Sequence, residues 1–209
     1  MNTISNLWNS KFESDWKAAL EKYWGFVRPD NVGLEKELND LKLEKIMELD
    51  QDGWYDFLHD SYFRWKYTAP NRYASTTLLL RRYKDSDQLD KLFDIKMRLL
   101  NFDISDISVG LLIAKEIHGL GVAGSSGLLS LMYPNDFGTV DQFAVKALCQ
   151  ISNLPESKDL IKMNPDNLTL KNGKDLINIM RGKAKENNAI FGTDYWTPRK
   201  IDMILWASR

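Results

Sequence analysis

The chain has 209 residues, a formal net charge of −1 at pH 7 and a charged fraction of 27%. This length permits a sizeable core in one domain or in two closely packed subdomains, and the composition is that of an ordinary globular protein. With Cys149 as the only cysteine, a disulfide framework and a cysteine-ligated zinc site or iron–sulfur cluster are excluded.

The first six residues lack the basic and apolar stretches of a secretion signal, and no apolar run has the ~20 residues of a membrane span. We therefore expect a cytoplasmic protein with no membrane partner. His59 and His118 are isolated from each other and from clustered acids, so we expect no metal and no cofactor. Cys149 ends the apolar run that begins at Phe143 and is expected to be a buried thiol.

Apolar residues recur every three or four positions along most of the chain, which predicts helices. The predicted helices cover about 8–23, 34–47, 54–63, 72–83, 89–100, 105–117, 122–133, 139–149, 174–187 and 197–208. Thr197 followed by Pro198 is typical of a helix start, and Thr139 with Gln142 reads as a capping box. With no strand-length alternation, we predict an all-α fold in a single domain, 1–209.

Positive charge is concentrated in residues 61 to 84, which hold six cations and no acid, whereas residues 1 to 60 carry a net charge of −6. Aromatic residues are interleaved with these cations. Arg64, Lys66 and Arg72 are therefore candidate phosphate contacts, and Trp65 is a candidate for stacking on a base. The alternative is that Trp65 belongs to the core and that the cations form a solvated face.

A glycine pair, Gly119-Leu120-Gly121, separates two helix-like runs. Both glycines are expected at positive φ in a tight turn, with Leu120 anchored in the core. Backbone N–H groups at the start of the following helix would then bind a phosphate. The candidate DNA contacts of this turn are Gly119, Gly121, Val122, Ala123 and Gly124. The alternative is an ordinary turn between helices with small packing residues.

Residues 105–149 resemble the core of the helix-hairpin-helix–GPD superfamily of base-excision DNA glycosylases. The resemblance rests on the Gly-apolar-Gly hairpin, the following helix, the loop at 134–138, and Asp141 directly after Val140. Lys146 occupies the place of a basic residue that the family often has five positions after the aspartate. Residues 63–72 and 197–206 resemble a small branch of the same superfamily. Arg199 and Lys200, in the second of these, are expected mainly at the surface.

The resemblance implies a monofunctional DNA glycosylase that acts on damaged, double-stranded DNA, with Asp141 as the catalytic carboxylate and Lys146 as a DNA contact. Ala123 stands where bifunctional members carry a lysine nucleophile, so lyase chemistry by that route is not expected. Three alternatives stay open: Asp141 serves only the helix dipole, the protein binds DNA through the hairpin without catalysis, or it is an all-α protein-interaction domain.

Overall fold

A computed structural model describes residues 3–208, and these residues form helices and loops without any β-strand. The first seven helices are α1 (Ile4–Trp8), α2 (Glu13–Phe26), α3 (Val32–Asn39), α4 (Leu43–Glu48), α5 (Gln51–Asp56), α6 (Phe63–Lys66) and α7 (Pro70–Asp85). The other seven are α8 (Leu89–Asn101), α9 (Ile107–Lys115), α10 (Val122–Met132), α11 (Gln142–Leu148), α12 (Ser157–Leu160), α13 (Leu170–Phe191) and α14 (Pro198–Ala207). The predicted all-α class is confirmed for the described residues.

Local capping signals explain where several helices begin and end. The Asp106 carboxylate caps α9 by accepting from the backbone N–H groups of Ser108 and Val109, at 3.0 and 3.1 Å. The Thr197 hydroxyl caps α14, with Pro198 at its first position, as predicted. Helix α13 ends at Gly192, which has a φ of +64°, the left-handed conformation that favours glycine.

Buried apolar side chains from both halves of the sequence form one contiguous core. Helix α14 packs on α2 and α13, and α9 pairs with α10. Trp16 and Trp196 are fully buried and meet edge to face, with ring centroids 5.9 Å apart. The N-terminal helices and the C-terminal helix therefore share one interior.

Small residues on α10 allow another helix to approach closely. Helices α5 and α6 are joined by a π-helical stretch, Phe57–Tyr62, and this run packs on α10. A Cβ at Gly127 would lie 2.9 Å from the Tyr62 hydroxyl, and one at Gly124 would lie 2.7 Å from the Tyr67 hydroxyl. Any larger residue at either glycine would push the two elements apart.

Three expectations on helix limits and burial are wrong. The helix expected over 8–23 is two helices, because the chain turns after α1, and Phe12 is 70% exposed. The helix expected over 34–47 is likewise divided into α3 and α4. Cys149 is exposed, since it follows the last residue of α11 and the buried face of that helix ends at Leu148. Within residues 3–208, no helix is both long and apolar enough to cross a membrane.

Candidate functional site

A cavity of about 360 Å³ opens between α2, α3, α6, α11 and α14. Five aromatic residues contribute to its lining: Tyr23, Phe26, Trp65, Phe143 and Trp206. The Trp206 ring meets the rings of Tyr23 and Phe143 at centroid distances of 5.3 and 6.4 Å, both edge to face. The size and the aromatic lining are those of a small-molecule pocket.

A buried ionic network forms one wall of this cavity. The Arg199 guanidinium donates through Nη1 to Asp202 Oδ1 at 2.8 Å and through Nη2 to Glu35 Oε1 at 3.0 Å. All three side chains are at most 8% exposed. Solvent and salt therefore screen this network far less than they screen a surface pair. The network joins α3 to α14, whose residues are far apart in the sequence.

Glu35 is the acceptor on which several donors of this wall converge. Its Oε1 also accepts from the Tyr23 hydroxyl at 2.5 Å and from the Asn39 amide at 3.1 Å. Its Oε2 accepts from the Trp65 indole N–H at 2.6 Å. A buried carboxylate with this many donors is compensated, and the contact with Trp65 fixes that ring beside the cavity.

The loop before α11 is held from two sides. Asp202 Oδ2 accepts from the backbone N–H of Thr139 at 2.6 Å. The Ser126 hydroxyl, on α10, accepts from the backbone N–H of Val140 at 2.9 Å. The hydroxyls of Ser130 and Thr139 lie 3.0 Å apart. These contacts fix the backbone that presents Asp141 to the cavity.

Asp141 is the N-cap of α11, and its half-buried side chain also lines the cavity. Its Oδ1 accepts from the backbone N–H groups of Phe143 and Ala144, at 2.8 and 3.0 Å. The predicted capping box at Thr139 is wrong, because the N-cap of α11 is Asp141. Thr139 precedes Asp141 by two residues and is buried, with its hydroxyl in contact with that of Ser130. Within residues 3–208, both hydrogen bonds of Asp141 use the same oxygen.

Lys66, at the end of α6, extends into the same cavity. Burial lowers the pKa of its ammonium, against the opposing attraction of Asp141 and Asp202. Among the described residues, no carboxylate forms a salt bridge with this ammonium, and no group accepts a hydrogen bond from it. Its Nζ lies 5.9 Å from the centroid of the Trp65 ring.

The same burial perturbs the acid of the ionic network. Burial raises the pKa of Asp202 from 3.8 to about 6, although Arg199 and the Thr139 N–H act in the opposite direction. Burial also raises the pKa of Tyr23. Because titratable groups with perturbed pKa values cluster at this cavity, it is the leading candidate for a functional site in the described part of the chain.

The glycine turn between α9 and α10 has the expected shape at one glycine only. Gly119 has a φ of +95°, and a Cβ there would lie 2.9 Å from the Thr76 carbonyl oxygen. Gly121 has a φ of −91° and no heavy atom near the place of a Cβ, so its expected positive φ is wrong. Gly121 instead is the N-cap of α10, where it leaves the backbone open to solvent. Leu120 is buried, as expected.

The other residues of the turn differ in how far they are accessible. Val122 and Gly124 are buried, and Ala123 is half-buried. The Gly124 carbonyl accepts from the Tyr62 hydroxyl. The first hydrogen bond of α10 joins the Ser125 N–H to the Gly121 carbonyl at 2.8 Å. The N–H groups of residues 122 to 124 come before it, in the first turn, where a helix has no carbonyl to pair with them. The N–H groups of this first turn are the backbone donors that suit an anion here.

Some of the predicted site residues line the cavity and others do not. The cavity lining includes Lys66, Trp65 and Asp141 and does not include Arg64, Arg72 or Lys146. Those three cations are exposed. Lys146 donates to the Gln142 amide oxygen at 2.9 Å. Burial raises the pKa of the Tyr67 hydroxyl, and the positive charge of Arg72 opposes this rise. The Tyr67 hydroxyl donates to the Gly119 carbonyl at 3.0 Å.

Sequence reasoning missed the ionic wall of the cavity. Arg199 was expected at the surface but is 5% exposed. The sequence did contain a signal for it. Arg199 and Asp202 are three positions apart, a spacing at which side chains meet on a helix. The helix that carries them is also apolar on nearly all sides, with Ile201 and Met203-Ile204-Leu205, which is typical of a buried helix. Glu35 gave no comparable signal, because its partners Arg199, Tyr23 and Trp65 lie on other elements.

Within residues 3–208, no group of three or more histidine, cysteine or acidic side chains has the geometry of a metal site. In comparisons with models of protein families, with curated proteins and with solved structures, the chain matched none of them. The function of this chain is therefore inferred from the cavity and the hairpin themselves.

Proposed function

We propose that the protein binds damaged double-stranded DNA and hydrolyses the N-glycosidic bond of a base held in the cavity, as a monofunctional DNA glycosylase. One observation carries this proposal. The acid Asp141 and the cation Lys66 line the same aromatic cavity without forming a salt bridge with each other. A carboxylate and an ammonium that are held apart in one cavity can stabilise the opposite charges that develop as a bond breaks.

The aromatic lining supports an extruded base as the ligand. A base must leave the duplex stack before an enzyme reaches its glycosidic bond, and aromatic rings replace part of the lost stacking. The Trp65 ring, fixed by its hydrogen bond to Glu35, is the stacking surface that we assign. The volume of about 360 Å³ lies within the range of pockets for ligands of this size.

Asp141 is the proposed catalytic carboxylate. As the bond between C1′ and the base breaks, its electron pair leaves with the base and positive charge develops on the sugar. The carboxylate stabilises this charge and orients the water that adds to C1′. Its Oδ1 is engaged in capping α11, which holds the group rigidly, and Oδ2 is the oxygen available to the ligand.

The hairpin supports DNA as the partner. The open backbone at Gly121 gives a phosphate access to the first turn of α10, where unpaired N–H groups and the positive end of the helix dipole favour an anion. The same helix carries Ser126, which holds the loop before Asp141. One rigid element therefore connects the proposed phosphate contact to the proposed catalytic residue.

Non-catalytic DNA binding is the second candidate, and the capping role of Asp141 favours it. Two good hydrogen bonds to the start of α11 give this carboxylate a sufficient structural reason to be where it is. In that case the hairpin would bind DNA, and the cavity would hold a base without cleaving its bond.

Replacing Asp141 by Asn separates the two candidates, because Asn caps a helix as well as Asp does but carries no charge. The substrates are duplexes with single deaminated, alkylated or oxidised bases, and abasic products are detected by alkaline cleavage. We expect the wild type to release at least one of these bases and Asp141→Asn to release it about 10²- to 10³-fold more slowly.

Asp106→Asn is the matched control, since Asp106 caps α9 with the same pair of backbone contacts but lies outside the cavity lining. It should leave the excision rate unchanged. Equal rates for the wild type and Asp141→Asn contradict the catalytic assignment. DNA binding by the wild type without excision of any base supports the second candidate.

A further inference from the structure

The Lys66 ammonium is the unusual group of this cavity. It is half-buried at the lining, and its environment lowers its pKa, yet nothing in residues 3–208 accepts a hydrogen bond from it or forms a salt bridge with it. The ring of Trp65, at 5.9 Å from Nζ, is a weak substitute for an acceptor.

The other buried charges of the cavity are largely paired with one another, although the Arg199 Nε is a buried donor without a partner among the described residues. Arg199 is paired with both Asp202 and Glu35, and Glu35 accepts from Tyr23 and Trp65 as well. The paired atoms of these side chains have little capacity left for a ligand, and the Arg199 Nε is itself buried. Lys66 is therefore a half-buried cation of the lining whose ammonium has no acceptor among the described residues.

A ligand that covers this half-buried donor removes it from solvent, so binding is favoured when the ligand supplies an acceptor and opposed when it does not. An ammonium group has three N–H donors and no acceptor. A ligand atom placed against it must therefore be an acceptor, and a second donor at the same place would be left unpaired.

We infer that Lys66 selects the extruded base by its edge, favouring a base with a carbonyl at purine C6 or pyrimidine C4 over a base with an amine at that position. This inference rests on the proposed function, since it assigns the class of base that the cavity binds. Guanine and thymine present a carbonyl oxygen where adenine and cytosine present an amino group. The carbonyl accepts from Nζ, whereas the amino group opposes one donor with another.

Binding to duplexes with one unpaired base tests this inference without any need for catalysis. Four duplexes differ only in a single bulged G, A, T or C, and fluorescence anisotropy gives the Kd of each at one salt concentration. Comparing G with A and T with C keeps the size of the base matched. For the wild type we expect each carbonyl base to bind about fivefold more tightly than its amino counterpart, the factor for one hydrogen bond.

Lys66→Met should bring both Kd ratios close to one. The matched control is Lys174→Met, which removes an exposed lysine outside the cavity lining and should keep both ratios. Two further variants keep the test valid where Lys66→Met does not fold. Lys66→Arg retains donors only and should keep the preference, whereas Lys66→Gln both donates and accepts and should lose it.

Three outcomes overturn the inference. Equal Kd values for the four wild-type complexes show that the cavity does not discriminate between the two classes of base. A uniform loss of affinity in Lys66→Met, with a shallower dependence on salt, assigns Lys66 to a phosphate instead. Failure of the wild type to bind any duplex at low salt refutes the proposed function, and the inference falls with it. The first two outcomes leave the proposed function standing.

Discussion

Replacing Asp202 by Asn should remove one pH dependence from the stability of the fold. Burial raises the pKa of this carboxyl from 3.8 to about 6. Between these two values the folded protein binds more protons at this position than the unfolded chain does. The stability that Asp202 contributes is therefore fully present below about pH 4 and is lost as the pH rises through about 6.

The expected magnitude follows from the size of the shift. A difference of about two pKa units between the folded and unfolded states corresponds to about 3 kcal/mol, since one unit is about 1.4 kcal/mol. Asp202 is only 4% exposed, so this value needs no reduction for contact with solvent. The Asn amide oxygen can still accept from the Thr139 N–H, which keeps the loop in place. The variant should lack the loss of stability that the wild type shows above pH 4.

Urea unfolding of the wild type and Asp202→Asn between pH 4 and pH 7 measures this effect. Carboxylates whose pKa is lowered, such as Glu116 and Glu186, act in both proteins and cancel in the difference. We expect the free energy of unfolding of the variant, minus that of the wild type, to increase by about 2 kcal/mol across this range, because part of the effect lies below pH 4.

The charged and titratable groups around Asp202 are the same in both proteins: Arg199 on its own helix, Lys66 on α6, Asp141 before α11, and Tyr23 on α2. If the difference in free energy of unfolding between the two proteins changes by less than about 1 kcal/mol from pH 4 to pH 7, the attraction of Arg199 and Lys66 compensates the burial of the carboxylate. A difference that decreases with rising pH would refute the reasoning outright.

Two further predictions concern the turn and the ionic wall. Gly119→Ser should lower the free energy of unfolding by about 1–2 kcal/mol, because φ is +95° and the new Cβ meets the Thr76 carbonyl. Gly121→Ser should not lower it, because a serine at this N-cap has space and caps α10. Equal losses in urea unfolding would contradict this contrast. Glu35→Gln should cost about 3 kcal/mol, since it removes one buried partner of Arg199. A loss below about 1 kcal/mol by the same measurement would mean that Asp202 alone compensates the guanidinium.

The features that sequence reasoning located correctly are those with local causes. The start of α14 follows from Thr197 and Pro198, and the turn at Gly119 follows from a residue that tolerates positive φ. In each of these cases the residues that decide the structure lie within a few positions of one another.

The features that escaped sequence reasoning depend on partners far along the chain. Nothing near Glu35 indicates that its carboxylate will meet Arg199, because the two are 164 positions apart. Similarly, an isolated run of apolar residues could not reveal that Cys149 follows the end of its helix and faces solvent. Burial of a polar side chain is a property of the assembled core, and the periodicity of one helix specifies only which face it buries.

The long-range pairing in the cavity wall has a kinetic consequence. The α9–α10 turn can form early, since its two helices follow each other in the sequence and pack together, but the wall requires α3 and α14 to meet across most of the sequence. Closing such a large loop costs conformational entropy before any contact compensates it, and folding slows as contacts become less local. We therefore expect the hairpin helices to form before the cavity that they support is closed.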